Sequence, residues 1–194
     1  MSPVRSAVQA DSGRLAEIHV TSWRQAYDGL LPADFLRSLS VGSRQEWWSR
    51  RLTALEKGGS VLVVTDASFG PPRGFAFLGP CSATEGELYA IYIDPESWRC
   101  RFGTELLTAA EHKLQQNGFS QAILWVLEGN HRGRAFYETR GWQADGALKI
   151  EEIGGIQVTE LRYRKALGHG ADRPGAEPGQ KQGESTGWMK REMR

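Results

Sequence analysis

Two segments of the chain combine residue types that could bind an anion and move a proton. The first begins at Asp94-Pro95, passes through a basic turn from Trp98 to Gly103 and continues as an amphipathic stretch. A helix that follows such a turn directs its free N–H groups and the positive end of its dipole toward the turn. Because phosphate groups bind well at such a helix start, this segment predicts a phosphate site.

The second segment places Asn130 at the start of a predicted helix and Tyr137 two turns later. Asparagine is a common helix cap and can also hold a bound molecule. A phenol, whose ordinary pKa is about 10, stays protonated near neutral pH and can act as a general acid. Together the two segments predict a diphosphate-containing cofactor and an acid that works on it.

Composition limits the kind of protein that carries these segments. The chain has 194 residues, 40% hydrophobic and 24% charged, which suits one core in one soluble domain. A net charge of +1 favours neither nucleic acid nor a membrane surface. No apolar run is long enough to span a membrane and no signal peptide is recognised, so the predicted location is cytoplasmic. Cys81 and Cys100 have no metal-site spacing and predict free thiols.

Hydrophobic periodicity predicts the elements that position the two segments. Apolar and β-branched runs predict strands at 4–8, 60–67, 74–80, 86–93, 121–126, 147–153 and 156–167. Helical spacing predicts helices after Asp11 or Ser12, from Pro32, and over 41–55, about 99–116 and 132–140. The predicted fold is α/β of the α+β type: a mixed, mostly antiparallel sheet of about seven strands, closed by a hairpin, with helices on both faces.

From Gly168 onward the composition shifts to glycine, proline, glutamine and charged residues. Such a segment has too few large apolar groups to offset its ordering entropy. The prediction is one folded domain over residues 1–167 and a disordered tail over 168–194. Composition favours a solvated extension over a docking peptide for this tail.

These motifs resemble the GCN5-related N-acetyltransferases (GNAT), which transfer an acetyl group from acetyl-CoA to an amine. The resemblance covers roughly Val4 to Leu167 and includes Asn130, Tyr137, Gly141 and Trp142 in the pattern N-x6-Y-x3-G-W. Each motif is weak alone, but their order and spacing are specific. In the family the fourth and fifth strands splay apart, and the pantetheine arm of the cofactor enters the gap.

By this resemblance, residues of the loop, the preceding strand and the later helix bind acetyl-CoA. They are Ile91, Tyr92, Ile93, Trp98, Arg99, Cys100, Arg101, Phe102, Gly103, Thr104, Asn130 and Arg134. Arg101 stands where the family has a glycine. Main-chain N–H groups hold the diphosphate, so this side chain is compatible with binding if its φ is negative and its Cβ points away. It then either adds a contact to phosphate or narrows the site.

The resemblance also implies catalytic residues. Tyr137 matches the family's acid, which protonates the departing thiolate, and a main-chain N–H near Ile91 polarises the thioester carbonyl. Glu87 lies six residues before Ile93, an offset at which some members carry a glutamate base. Strand alternation predicts that its side chain shares a face with Tyr89, Ile91 and Ile93. A solvated strand edge is an equally good interpretation of Glu87, with a water chain as the base.

Trp23 and Tyr27 are the implied substrate-binding residues. With His19 they repeat every four residues, in a segment similar to the opening helices of some bacterial members. An aromatic wall there could hold an amine through cation–π contact. Burial in the core is the stronger interpretation, since such a stripe usually faces the sheet.

The predicted function is an acyl-CoA-dependent N-acyltransferase that works in a ternary complex, without a metal or a covalent enzyme intermediate. The expected acceptor is a small-molecule amine or an amine of a protein or peptide. No nucleic acid or membrane partner is expected, and a homodimer is compatible with the family. The alternative is a non-catalytic acyl-CoA-binding or regulatory domain, which would not need Tyr137. A P-loop phosphotransferase is excluded, because GxxxxGK[ST] is absent.

Overall fold

The computed structural model describes residues 4–67 and 70–168. Its centre is one sheet of seven strands: β1 (Val4–Ser6), β2 (Ser60–Thr65), β3 (Pro72–Pro80), β4 (Glu85–Ile93), β5 (Gln121–Leu127), β6 (Gln143–Ile153) and β7 (Ile156–Ala166). Their order across the sheet is β1-β2-β3-β4-β5-β7-β6. All neighbours run antiparallel except β4 and β5, which are parallel. The predicted mixed, mostly antiparallel sheet is confirmed.

Helices cover both faces of this sheet, as predicted. They are α1 (Ser12–Ala26), α2 (Ala33–Ser38), α3 (Val41–Thr53), α4 (Phe102–Gln116) and α5 (His131–Glu138). On one face α4 buries Leu106 and Leu107 in a cluster with Leu78. On the other face α1 and α3 bury Leu15 and Trp48 against the sheet. No helix among the described residues is long and apolar enough to cross a membrane.

The predicted start of α4 at about Arg99 is wrong by three residues. The helix begins at Phe102, because Arg99 and Arg101 have φ values of +68° and +64°. These values lie in the left-handed region, which cannot continue a right-handed helix. The basic turn is therefore a loop, and the first turn of α4 lies after it.

A β-bulge in β4 changes which face its side chains occupy. Phe77 of β3 pairs with Ala90, whereas the next residue, Leu78, pairs with Leu88, so Tyr89 is an extra residue. An extra residue reverses the alternation of side chains beyond it. Leu88, Ile91 and Ile93 consequently all contact the apolar cluster under α4.

The predicted face of Glu87 is wrong for the same reason. Its neighbours Gly86 and Leu88 are directed toward α4, since a Cβ at Gly86 would lie 2.6 Å from Leu114 and Leu88 belongs to the α4 cluster. Glu87 therefore points to the α1 face, opposite Ile91 and Ile93.

The pairing between β4 and β5 is short. It joins Glu85 to Gln121, Gly86 to Ala122 and Glu87 to Ile123, and it ends there. Beyond Glu87 the two strands separate, as the predicted splay requires, and one edge of β4 has no strand beside it. The carbonyl oxygen of Ile93 accepts hydrogen bonds from Ser22 Oγ at 3.1 Å and from Trp98 Nε1 at 2.9 Å.

The terminal hairpin is also as predicted, although β6 is longer than expected. It begins at Gln143 instead of 147, because a register shift between Ala144 and Leu148 lets the strand continue its pairing with β7. Gly154 and Gly155 form the turn with φ values of +62° and +84°. Apart from Gly168, the predicted tail lies outside the described residues.

Candidate functional site

A cavity of about 520 Å³ opens where β4 and β5 separate. Most of the residues singled out in the sequence line it: Tyr27, Ile91, Tyr92, Ile93, Trp98, Arg99, Arg101, Phe102, Gly103, Thr104, Asn130 and Tyr137. Trp23, Glu87, Cys100 and Arg134 are not part of its lining. The splayed strands thus bring the predicted phosphate loop and the predicted acid to one cavity.

The turn between β4 and α4 forms the wall at the start of the helix. Asp94 begins the turn, is buried and forms an ion pair with Arg14 of α1. The N–H groups of Thr104 and Glu105 donate to the carbonyl oxygen of Arg101 at 2.9 and 3.1 Å, and these are the first hydrogen bonds of α4. The N–H groups before Thr104 have no acceptor within the helix, so they can serve a phosphate.

The negative φ that was set above as a condition for Arg101 is not found. Its φ of +64° is the conformation that a glycine would adopt most easily at this position. For a residue with a Cβ this conformation costs about 1–2 kcal/mol. The loop therefore keeps a glycine-type backbone shape although the residue is arginine.

Helix α5 contains Arg132 and Arg134, and Arg140 follows its end; of these three the resemblance selected Arg134. Arg134 instead faces away from the cavity, where Nε donates to the Tyr163 hydroxyl at 3.2 Å and Nη1 to the Glu128 carbonyl at 3.0 Å. Arg132 and Arg140 line the cavity. Both are four residues from Phe136, which also lines the cavity, but the sequence offers no reason to single out Phe136 and therefore no signal for Arg132.

The four residues of N-x6-Y-x3-G-W have different tasks. Asn130 Oδ1 accepts from the Gly133 N–H at 2.9 Å and caps α5. Gly141 ends the helix with a φ of +80°. Trp142 is 1% exposed in the α4 core, where Nε1 donates to Glu111 at 2.8 Å. Tyr137 is therefore the member of the motif that brings an ionisable group to the cavity.

Burial, and to a lesser degree nearby Tyr92, raise the pKa of Tyr137 above its ordinary value. Its hydroxyl stays protonated throughout the neutral range, as a proton donor requires. Burial likewise raises the pKa of Tyr92 to about 12, against the opposing effect of hydrogen bonds from Tyr27 and Trp23.

Tyr27 and Trp23 occupy different environments. Trp23 is 2% exposed in an apolar cluster with Leu31, and its Nε1 donates to the Tyr92 hydroxyl at 2.9 Å. The Tyr27 hydroxyl lies on the cavity wall, 3.4 Å from that of Tyr92. Trp23 is therefore a core residue, which is the interpretation that the sequence favoured for these aromatic residues. Tyr27 instead lies at the cavity wall.

A buried carboxylate that the sequence did not suggest lies behind these hydroxyls. Glu160 of β7 is 2% exposed and pairs with Lys149 of β6 at 2.8 Å. The pKa of Tyr27 is raised mainly by burial, next by its contact with Tyr92 and, to a smaller extent, by the negative charge of Glu160. Glu87 is also buried, at 3% exposure, but on the α1 face outside the cavity lining.

Comparisons with known proteins agree with this fold. A family model described as "Acetyltransferase (GNAT) family" matches residues 15–142. The uncharacterized N-acetyltransferase YuaI of Bacillus subtilis is 38% identical over 165 residues, which are 83% of this chain and 91% of that protein.

Solved structures of the same fold contain bound coenzyme A or its acetyl form. The PaiA N-acetyltransferase of Thermoplasma acidophilum, in complex with coenzyme A, has a TM-score of 0.68 at 21% identity and covers 86% of this chain and 99% of its own. A phosphinothricin acetyltransferase of Sinorhizobium meliloti, in complex with acetyl-CoA, has a TM-score of 0.66 at 22% identity and covers 91% of this chain and 95% of its own.

Proposed function

Because this chain belongs to the GNAT family of acetyltransferases, we propose that it transfers the acetyl group of acetyl-CoA to a primary amine by direct attack in a ternary complex. One observation carries the proposal. A single cavity is lined by the start of α4, by β4 beyond the point where it leaves β5, and by Tyr137. These features match a diphosphate, an extended arm and a leaving thiolate.

The donor is held by main-chain groups in this proposal. The N–H groups before Thr104 bind the diphosphate with the help of the helix dipole. The edge of β4 beyond Glu87 binds the pantetheine arm as an added strand would bind. Ile91, Tyr92 and Ile93 supply that edge, and an N–H near Ile91 polarises the thioester carbonyl.

Tyr137 supplies the proton for the leaving group. The amine nitrogen bonds to the carbonyl carbon, the carbon–sulfur bond breaks, and the sulfur takes the Tyr137 proton and leaves as a thiol. The attacking nitrogen releases its proton to water in the cavity, and solvent reprotonates the phenolate. Water is the proposed base, because Glu87 lies outside the cavity lining.

The acceptor enters at the side of Tyr27 and Tyr92 in this proposal. Two phenol hydroxyls on an aromatic wall fit a neutral amine and can hold its substituent by hydrogen bonds or stacking. Small-molecule amines and protein or peptide amines both remain proposed acceptors. The homodimer expected from the resemblance stays a prediction.

The non-catalytic alternative receives less support. It was suggested by Arg101 in the loop, but the loop keeps its glycine-type shape, with a φ of +64° at Arg101. A protein that only binds acyl-CoA has no need for a protonated phenol in the cavity, and Tyr137 lies there.

Thermal unfolding tests the donor assignment directly. Acetyl-CoA at a hundredfold excess over its Kd should stabilise the protein by about 2.7 kcal/mol. For a domain of this size that corresponds to a rise in Tm of roughly 5–10 °C. ATP and NAD at the same concentration should leave Tm unchanged. No shift with millimolar acetyl-CoA would contradict the proposal, and release of CoA during a screen of amine pools, with mass spectrometry of the product, would identify the acceptor.

A further inference from the structure

Arginines without carboxylate partners surround the loop end of the cavity. Arg99 and Arg101 lie on the loop and Arg132 lies on the first turn of α5, and all line the cavity. In residues 4–67 and 70–168, none of them forms an ion pair. The fourth arginine of the lining, Arg140, also forms no ion pair among these residues, but it donates hydrogen bonds to the Phe136 carbonyl and to Thr104 Oγ1. This positive charge is therefore not neutralised within the described protein.

Arg132 is held in a defined position despite having no carboxylate. Its guanidinium carbon lies 3.6 Å from the centre of the Trp98 ring, which is the geometry of a cation–π contact. Trp98 is in turn fixed by the hydrogen bond from Nε1 to the Ile93 carbonyl. Because Trp98 follows β4 and Arg132 follows β5, this contact spans the gap between the splayed strands.

The position of Arg132 is unfavourable for a lone cation. Arg132 is exposed, so the effect of desolvation is small, and together with the like charge of nearby Arg99 it only lowers the pKa of the guanidinium from the ordinary value. The group stays charged near neutral pH, since arginine titrates only far above that range. An anion placed between Arg132 and the loop would remove this repulsion and gain charge-assisted hydrogen bonds.

We propose that Arg132, positioned on the Trp98 ring, binds a phosphate group of the acyl donor and makes the enzyme select phosphorylated donors over the bare acyl-pantetheine arm. This inference rests on the proposed use of acetyl-CoA. The planar guanidinium stacks on the indole through one face, and its edge presents N–H donors to a phosphate. Trp98 is thus a positioning residue, and Arg132 is a specificity-determining one.

The test compares acetyl-CoA with a donor that lacks only the 3′-phosphate and with one that lacks the adenosine and all phosphates. Binding of acetyl-CoA, of its 3′-dephospho form and of S-acetylpantetheine is measured by calorimetry for the wild type, Arg132→Gln and Arg132→Lys. We expect Arg132→Gln to weaken acetyl-CoA binding about tenfold, since hydrogen bonds to charged groups have that order of effect. Arg132→Lys should lose less affinity for acetyl-CoA, because lysine keeps the positive charge. The preference for acetyl-CoA over S-acetylpantetheine, expressed as the ratio of their Kd values, should therefore fall in Arg132→Gln.

The dephospho donor identifies the phosphate that Arg132 contacts. If the tenfold effect disappears with this donor, the contact is to the 3′-phosphate, and if it persists, the contact is to the diphosphate. Arg50→Ala is the matched control, because Arg50 is an exposed arginine on α3 outside the cavity. Thermal unfolding without ligand checks that each variant folds, and Arg132→Lys carries the test if Arg132→Gln does not.

Two results would overturn the assignment. Equal acetyl-CoA binding by wild type and Arg132→Gln would refute the role of Arg132 and leave the proposed function unaffected. Tighter binding by the variant would mean that the contact between Arg132 and Trp98 blocks the gap between the strands. Absence of acetyl-CoA binding by the wild type would instead overturn the proposed function, and this inference with it.

Discussion

The cavity has two ends that are built in different ways. The loop end consists of residues 94–104, one continuous stretch whose main-chain N–H groups and arginines face the cavity. The hydroxyl end consists of Tyr27, which caps the C-terminus of α1, Tyr92 of β4 and, behind them, Glu160 of β7. Local chain geometry makes the first end, whereas the second exists only when three distant elements pack together.

The ends also differ in charge. At the loop end Arg99 and Arg101 have no ion-pair partner among the described residues, and neither has Arg132 of α5 beside it, so their charge remains available to a ligand. At the hydroxyl end Glu160 is paired with Lys149, and the phenols are neutral. The difference supports the proposal that the donor is recognised by its anionic groups and the acceptor by shape and hydroxyl contacts.

Removal of the proposed acid, which lies between the two ends, should have the largest effect. Tyr137→Phe should lower kcat by about 100-fold or more, because general acid catalysis contributes at least that much. The KM for acetyl-CoA should change little, since the phenol acts on the leaving sulfur. Steady-state assays of CoA release measure both constants.

Tyr163→Phe is the matched control for that variant. Tyr163 packs near Tyr137, with a ring-centre distance of 6.3 Å, but its hydroxyl donates to Glu138 and not into the cavity. Its kcat should stay within about twofold of the wild type while its stability falls, as removal of a buried hydrogen bond typically causes. An unchanged kcat for Tyr137→Phe would remove Tyr137 from the mechanism.

Acid should weaken the packing behind the hydroxyl end. His19 is 3% exposed, stacks on Tyr92 with ring centres 5.2 Å apart and has no described partner for Nδ1. Burial, and then the charge of Arg44, lower its pKa well below the ordinary value. The folded protein thus keeps His19 neutral, whereas the unfolded chain binds a proton below about pH 6.5. The His19 contribution to stability is complete above that pH and is lost as pH falls.

Urea unfolding at several pH values between 7.5 and 5 measures this loss. The free energy of unfolding should fall by up to about 1.4 kcal/mol for each pH unit below 6.5. His19→Leu should flatten this slope, whatever its effect on absolute stability. His112→Gln, at an exposed position of α4, should keep it. A wild-type slope in His19→Leu would assign the acid sensitivity to other groups.

Two substitutions at Arg101 separate charge from backbone shape at the loop end. Both Arg101→Ala and Arg101→Gly should weaken acetyl-CoA binding about fivefold, through loss of a charged group near the phosphates. The glycine variant should be more stable than the alanine variant by about 1 kcal/mol, because only glycine adopts a φ of +64° without strain. Calorimetry and urea unfolding measure the two effects, and tighter binding by Arg101→Gly would show that the arginine narrows the site.

The smallest expected effect lies at the hydroxyl end. Tyr27→Phe removes a hydroxyl 3.4 Å from that of Tyr92 and should raise the KM for the amine by about threefold, with acetyl-CoA unaffected. Thr21→Ala, at an exposed position of α1, the helix that Tyr27 caps, is the control and should change neither constant. An equal rise in both KM values for Tyr27→Phe would mean that the two ends of the cavity are not independent.

Much of the fold and of the loop end could be predicted from the sequence because the signals are local. Strand alternation, the Asp-Pro corner and the spacing of Asn130, Tyr137, Gly141 and Trp142 each depend on neighbouring residues. In the structure the first of these residues caps the helix, the second lines the cavity, the third ends the helix and the fourth packs in the core. Because these roles depend on positions along one helix and its end, their spacing can be recognised from the sequence alone.

Other features depended on pairing between distant segments. The bulge at Tyr89 arises in the register of β4 against β3, and it moved Glu87 to the face opposite Ile91. Alternation counted along a single strand cannot reveal an extra residue that only the partner strand defines. The positive φ of Arg101 is similarly a property of the closed loop, since arginine seldom adopts it alone.

The sequence by itself thus determined the family, the order of the elements and the segment that forms the loop end. Only the tertiary structure decided that Arg132, and not Arg134, faces the cavity, and that Tyr27, Tyr92 and Glu160 meet at its other end. The physical reason is that hydrogen-bonded periodicity acts over a few residues, whereas the packing of helices on a splayed sheet joins residues more than a hundred positions apart.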